Sequence, residues 1–156
     1  MGESGDNGHA LKRGGGSQIN FRGTKMVVKA SEEQSEGAYT LIEMTHPQDA
    51  GPALHVHLGA AEAYYVLEGE YSIRYGEKEI LAKVGDFVFI PKGVPHNYRS
   101  GRHGGKVLVI SPAGAEKYFA QVAGMLKGGQ VAWELEQEIA GRYGQEFLDG
   151  LAHWWQ

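Results

Sequence analysis

Cysteine is missing from this sequence, which rules out disulfide bracing, thiolate nucleophiles and thiolate-rich metal sites. Long apolar runs are missing too. None approaches the roughly 18 residues of a membrane-spanning helix, so no membrane partner is expected. There is no run of five like charges, and the formal net charge is only −4. That argues against a nucleic-acid footprint or a polybasic membrane patch. The opening residues 1–8 are polar and lack the apolar core of a signal peptide, which makes a cytoplasmic protein the expectation. What remains is a chain of 156 residues, suited to one domain that buries most of its surface around one core.

Residues 1–16 carry Gly2, Gly5, Gly8 and Gly14 to Gly16 among polar neighbours and are expected to form a mobile tail, with His9 merely solvated. From residue 17 onward the pattern is strand after strand. Short apolar pieces at 17–21 and 25–29 flank Arg22-Gly23. Residues 38–45 are apolar on both faces, as in a strand buried inside a barrel, and Pro47 ends that strand with His46 at its edge. Further strands are expected at 54–58, 62–67, 71–75, 79–83, 86–90, 96–99 and 106–111, with turns at Gly69-Glu70, at Gly76 to Lys78 and through Ser100 to Gly105. In that last loop His103 should be exposed. Turns at such short intervals read as an all-β barrel or sandwich occupying residues 17–112.

Beyond Pro112 the period changes. Tyr118, Phe119, Val122, Met125 and Leu126 fall on one face of an amphipathic helix, and Gly128-Gly129 stops it. Val131, Leu135, Ile139 and Tyr143 then recur every four residues, with Glu134, Glu136 and Glu138 on other faces. Residues 113–156 are therefore expected to be a helical segment packing over a barrel end or a partner subunit. Tyr118, Phe119, Trp133, Trp154 and Trp155 offer more aromatic surface than one small barrel readily covers, so a homodimer is expected.

The stretch that organises the chain is Gly51-Pro-Ala-Leu-His55-Val-His57-Leu-Gly-Ala-Ala-Glu62. On a strand, His55 and His57 project from the same face and can converge on one point. Glu62 returns to that point if the chain turns through residues 58–61, and His96 can close the site from a separate segment. Three imidazoles and a carboxylate suit one divalent first-row metal, Fe, Mn, Ni, Cu or Zn, per chain. Strand parity places Tyr64 and Val66 inward with Glu62, and Tyr98 and Ser100 inward with His96. Tyr64 and Tyr98 are thus the candidate residues of a substrate pocket.

The spacing of the neighbours carries a family resemblance. Gly51 to Gly69 reads GPALHVHLGAAEAYYVLEG, and Gly85 to His96 reads GDFVFIPKGVPH. Both resemble the paired motifs of the cupin superfamily, and more narrowly the small single-domain bacterial cupins similar to quercetin 2,3-dioxygenase. Two positions depart from the pattern. The leading glycine falls at Asp49, with Gly51 two places late, and the closing asparagine falls at Ser100. The resemblance implies a double-stranded β-helix (jelly-roll) barrel with C-terminal helices, and His55, His57, Glu62 and His96 as metal ligands. It also implies that Glu62 takes the hydroxyl proton of the substrate. The activity implied is metal-dependent dioxygenation of a flavonol or other enolisable small molecule. A fold and a ligand set host many chemistries, so a redox-neutral isomerase, cyclase or lyase, and a non-catalytic binding module, stand beside it.

Overall fold

The computed structural model describes residues 7–148, so Trp154 and Trp155 lie outside the described residues. Nine strands and two helices follow in the order β1 Ser17–Phe21, β2 Thr24–Ala30, β3 Thr40–His46, β4 His55–His57, β5 Glu62–Tyr75, β6 Lys78–Lys83, β7 Phe87–Ile90, β8 His96–Ser111, α1 Ala115–Leu126, α2 Trp133–Arg142 and β9 Gln145–Phe147. The strands form one antiparallel sheet curled into a half-barrel. β5 and β8, the two long strands, run side by side through its centre. Along its other edge β8 meets β3 through residues 105–111 and β4 at His96.

Alternation builds the core. β3 turns Thr40, Ile42, Met44 and His46 inward, and Val66, Ile73, Val107 and Val109 meet them from β5 and β8. Arg22 and Gly23, both at positive φ, make the two-residue turn of the β1–β2 hairpin, whose backbone twist matches that of the flanking strands.

Three boundaries differ from the sequence expectation. Gly69-Glu70 is a bulge inside β5 and not a turn. The glycine takes φ 69° there, and the strand bends without ending. Residues 100–105 likewise lie within β8 and do not end it: Ser100 is opposite Tyr71 and Gly105 opposite Gly69, and the register shifts between these two pairs, so residues 101–104 bulge out against Glu70. Their lack of side-chain pattern has a packing reason: a β-carbon on Gly105 would lie 2.7 Å from the ring of Tyr71. His103 is exposed on this strand, as expected. Third, the segment after α2 adds the short strand β9, which pairs with β4.

The apolar run 86–90 also divides between two faces. Val88 and Ile90 are buried, while Phe87 and Phe89 stand outward at 58% and 55% exposure. Across the sheet Phe87 is opposite Tyr65, and Phe89 is opposite Ala63, which in turn faces Ile110. The result is an apolar outer face.

Both helices pack on the barrel. Tyr118 is buried within its own chain and Phe119 and Trp133 are half-covered by the same core, so Tyr118 offers no surface to a partner. Glu136, off the apolar stripe of α2, is fully buried. Arg22 reaches it from the β1–β2 turn with two hydrogen bonds of 2.8 Å, and the Tyr118 hydroxyl donates to it at 2.7 Å. Within residues 7–16, His9 Nε2 lies 2.6 Å from the Lys29 carbonyl, and Lys29 Nζ donates to Gly15. His9 is therefore engaged with β2 as well as exposed.

Candidate metal centre

Two loops set the histidine strand in place. On one side Asp49 adopts φ 54°, the left-handed conformation that glycine holds most easily. The Ser100 hydroxyl, 2.8 Å from the Ala50 amide and 2.6 Å from the Pro47 carbonyl, staples that loop. The two departures from the cupin pattern thus retain a backbone or a pinning role. On the other side Gly93 bends at φ 78° and donates its amide to the His57 carbonyl at 2.8 Å. β9 completes the support, with His55 opposite Phe147 and His57 opposite Gln145.

His55, His57, Glu62 and His96 come together as expected. All four are buried, and one ligand atom from each lies within 4.8 Å of the others. The imidazole centroids are 5.1 Å apart for His55 and His57, 4.3 Å for His55 and His96, and 5.4 Å for His57 and His96. Nδ1 of His55 points at the Ala53 carbonyl (2.8 Å), and Nδ1 of His96 at the Val94 carbonyl (2.9 Å). A neutral imidazole that donates from Nδ1 keeps a lone pair on Nε2, and a backbone carbonyl on the far nitrogen is the usual way a metal-binding histidine is oriented.

The inner atoms fit a cation. Nε2 of His57 is buried without a hydrogen-bond partner, 3.3 Å from Glu62 Oε2, and Nε2 of His96 stands 3.1 Å from Glu62 Oε1. Lone pairs facing a carboxylate at such distances repel unless a positive charge sits among them. The titration of the groups follows the same demand. Burial alone raises a carboxylate, yet His57 and His96 together draw Glu62 well below its usual range. Burial lowers His57, but the Glu62 charge outweighs it and raises the group overall. His55 is pushed down to about 3, by burial first and by the other two histidines second. Nitrogen and carboxylate donors without thiolate, on one side of a cavity, are those of an open transition-metal site.

Glu62 is held at both oxygens. The Tyr64 hydroxyl donates to Oε1, and the Ser111 hydroxyl donates to Oε2 at 3.1 Å. Tyr64 and Tyr98 both line the narrow cavity that opens from His55, His57 and Glu62, as parity predicts, but Tyr64 is committed to the carboxylate. Sequence reasoning missed Ser111, Gln145 and His46. His46, the last residue of β3, is buried and reaches the cavity wall. Its position beside a proline looks like a strand end, and only the curl of the sheet reveals what it touches.

Residues 41–111 match the family of cupin domains. This segment is a cupin domain. A quercetin 2,3-dioxygenase of Bacillus subtilis (strain 168) is 26% identical over 102 residues, which span 65% of this chain and 30% of that protein. Among solved structures, a predicted oxalate decarboxylase from Thermotoga maritima is 27% identical with a TM-score of 0.56, over 62% of this chain and 90% of the other. The polyketide cyclase RemF from Streptomyces resistomycificus shares the fold at 20% identity and the same TM-score, 0.56, over 67% and 78% of the two chains. No helix among the described residues is long and apolar enough to cross a membrane.

Proposed function

We propose that this cupin is a metal-dependent dioxygenase of a neutral, enolisable small molecule of the flavonol type. One observation carries the reading: three of the four clustered ligands, His55, His57 and Glu62, line a cavity whose wall is otherwise mainly apolar and aromatic. Phe21, Met26, Met44, Pro52, Val109 and Phe119 contribute to that wall. Among the described residues Arg22 is the one lysine or arginine lining it, and both its terminal nitrogens hold Glu136. A dicarboxylate or a sugar phosphate would need a cation of its own there. A planar aromatic enol needs apolar walls and an acceptor for one proton.

His55, His57, Glu62 and His96 would hold one divalent ion. When bound, it supplies Lewis acidity toward an ionising hydroxyl and, under the dioxygenase reading, the redox chemistry that dioxygen requires. Glu62 accepts the hydroxyl proton, oriented for it by Tyr64 and Ser111. The likeness to the Bacillus quercetin 2,3-dioxygenase supports this reading through less than a third of that protein's length. Redox-neutral catalysis would use the same donors, and oxygen uptake separates the two.

The test begins with metal analysis of untagged protein, native and His96→Ala, followed by oxygen-electrode assays on a flavonol panel. We expect one equivalent of metal in the native chain, little in His96→Ala, and substrate-dependent oxygen consumption that follows the metal. Full occupancy in His96→Ala would remove the ligand assignment; turnover without oxygen uptake would favour the redox-neutral reading, and tight binding without turnover a binding module. We propose a homodimer as well, through the exposed outer face of Phe87, Phe89 and Tyr65 in place of the Tyr118, Phe119 and Trp133 surface expected from the sequence, which the core of the same chain largely covers; light scattering should give twice the chain mass, and Phe89→Arg a single chain mass.

A further inference from the structure

Tyr98 places on the cavity wall a hydroxyl whose proton has no strong acceptor within the protein. His46 lies between two tyrosines, with Nδ1 2.8 Å from the Tyr71 hydroxyl and Nε2 3.0 Å from the Tyr98 hydroxyl. Burial holds this imidazole neutral, pushed down to about 3, so one of its nitrogens donates and the other accepts. Tyr71 is 1% exposed, and among the described residues His46 is the one hydrogen-bond partner of its hydroxyl. A proton on Nδ1 would leave the Tyr71 proton without an acceptor in the core, at a cost of about 1–3 kcal/mol. Tyr71 therefore donates to Nδ1, and Nε2–H donates to the Tyr98 oxygen. The Tyr98 proton then points away from His46, where its protein neighbour is the Met44 sulfur at 3.5 Å, a weak acceptor. The adjacent Tyr64, 5.3 Å away between ring centroids, has its hydroxyl engaged by Glu62.

We infer that the Tyr98 hydroxyl is a directed hydrogen-bond donor to a second, carbonyl oxygen of the substrate, and that His46 and Tyr71 are positioning residues that fix its direction. The inference rests on the enolisable-substrate reading and narrows it: the ligand carries a carbonyl as well as the hydroxyl that ionises, as a hydroxyketone does. No covalent step is involved, so the anchor acts on binding.

The experiment is equilibrium binding by calorimetry under argon, with metal-loaded protein and two probes. One is 3-hydroxyflavone, which has the carbonyl; the other is 2-naphthol, an ionisable aromatic hydroxyl without one. Tyr98→Phe should weaken 3-hydroxyflavone by about tenfold, one hydrogen bond's worth, and leave 2-naphthol unchanged. His46→Phe should give the same selective loss. His46→Gln, whose amide both accepts and donates, should recover part of it, which a merely space-filling role would not predict. Equal affinities for 3-hydroxyflavone in native protein and Tyr98→Phe, or equal losses for both probes, would overturn the anchor and leave the functional reading standing. Failure of the metal-loaded native protein to bind either probe would overturn the functional reading and the anchor together.

Discussion

A β-carbon on Gly51 would stand 1.7 Å from the carbonyl oxygen of Tyr98. The loop that feeds the histidine strand thus rests directly on the backbone of β8, between the ligand His96 and the staple Ser100. Gly51→Ala must push this loop off β8, and overpacking against backbone costs about 1–3 kcal/mol or more. The displacement carries His55 and His57 away from His96. We expect a fall in thermal midpoint together with loss of metal occupancy, measured by calorimetry and metal analysis on the same sample. Full occupancy in Gly51→Ala would show that the centre tolerates movement of this loop.

Arg22, on the cavity wall, and Glu136 form a second constraint. The Glu136 side chain is 0% exposed and that of Arg22 11%, and the pair ties the β1–β2 turn to α2. Removing one partner of a buried pair strands the other, at about 3–5 kcal/mol, whereas replacing both with apolar groups is often neutral. Glu136→Ala should therefore lose most of the stability of this small domain in urea titration. The double variant Arg22→Met, Glu136→Leu should regain much of it, although the Tyr118 hydroxyl then needs a new acceptor. Equal stability of the single and double variants would mean the pair itself matters little.

Much of the centre was legible in the sequence because a strand has a period of two. His55 with His57, Glu62 with Tyr64, and His96 with Tyr98 and Ser100 each follow from that parity, and all of them are found on the inner face. What escaped depends on contacts between distant segments. Glu136 reads as one more helix-surface glutamate until Arg22 arrives from 114 residues away. β9 is three residues long and has no pattern of its own; it exists because β4 offers it an edge. Phe87 and Phe89 follow the same alternation as their neighbours, but a strand whose outward residues are also aromatic looks continuous in sequence. His46 needed the positions of Tyr71 and Tyr98 before it meant anything.

His46 also predicts a pH dependence. Its folded pKa, lowered by burial to about 3, lies below its unfolded value near 6.5. Between these values the unfolded chain binds a proton that the folded chain refuses, so stability rises with pH. The contribution is complete above about pH 6.5 and is lost as acid carries the protein toward pH 3. One proton corresponds to a slope of about 1.4 kcal/mol per pH unit. His55, held down in the same direction, adds a slope of its own in metal-free protein. The comparison that isolates His46 is metal-free native protein against His46→Gln, by urea titration from pH 7 to 4. The variant should show a slope shallower by about one proton; parallel profiles would mean His46 is charged or solvated in the folded state.

Glu62 is where the mechanism is most exposed to experiment. Its two oxygens accept from Tyr64 and Ser111, yet a carboxylate offers about four lone-pair sites, so positions remain for a metal and for one proton. If Glu62 is a ligand alone, Glu62→Gln should weaken metal binding and leave turnover per bound metal unchanged. If it is also the base, the amide cannot take the hydroxyl proton, and turnover per bound metal should drop by about 10²- to 10⁴-fold. That range is wide enough to separate from partial metal loss. Raising the pH toward the pKa of the free substrate should then restore part of the rate in Glu62→Gln, since the hydroxyl arrives already ionised, while the native protein gains little. Tyr64→Phe gives the complementary result. Without the hydroxyl on Oε1 the carboxylate is a stronger base but less well aimed, so metal binding should persist and the rate fall less than in Glu62→Gln. Oxygen uptake divided by measured metal content, for the three proteins across pH, decides between the two roles: equal metal-normalised rates in native protein and Glu62→Gln would remove Glu62 as the base.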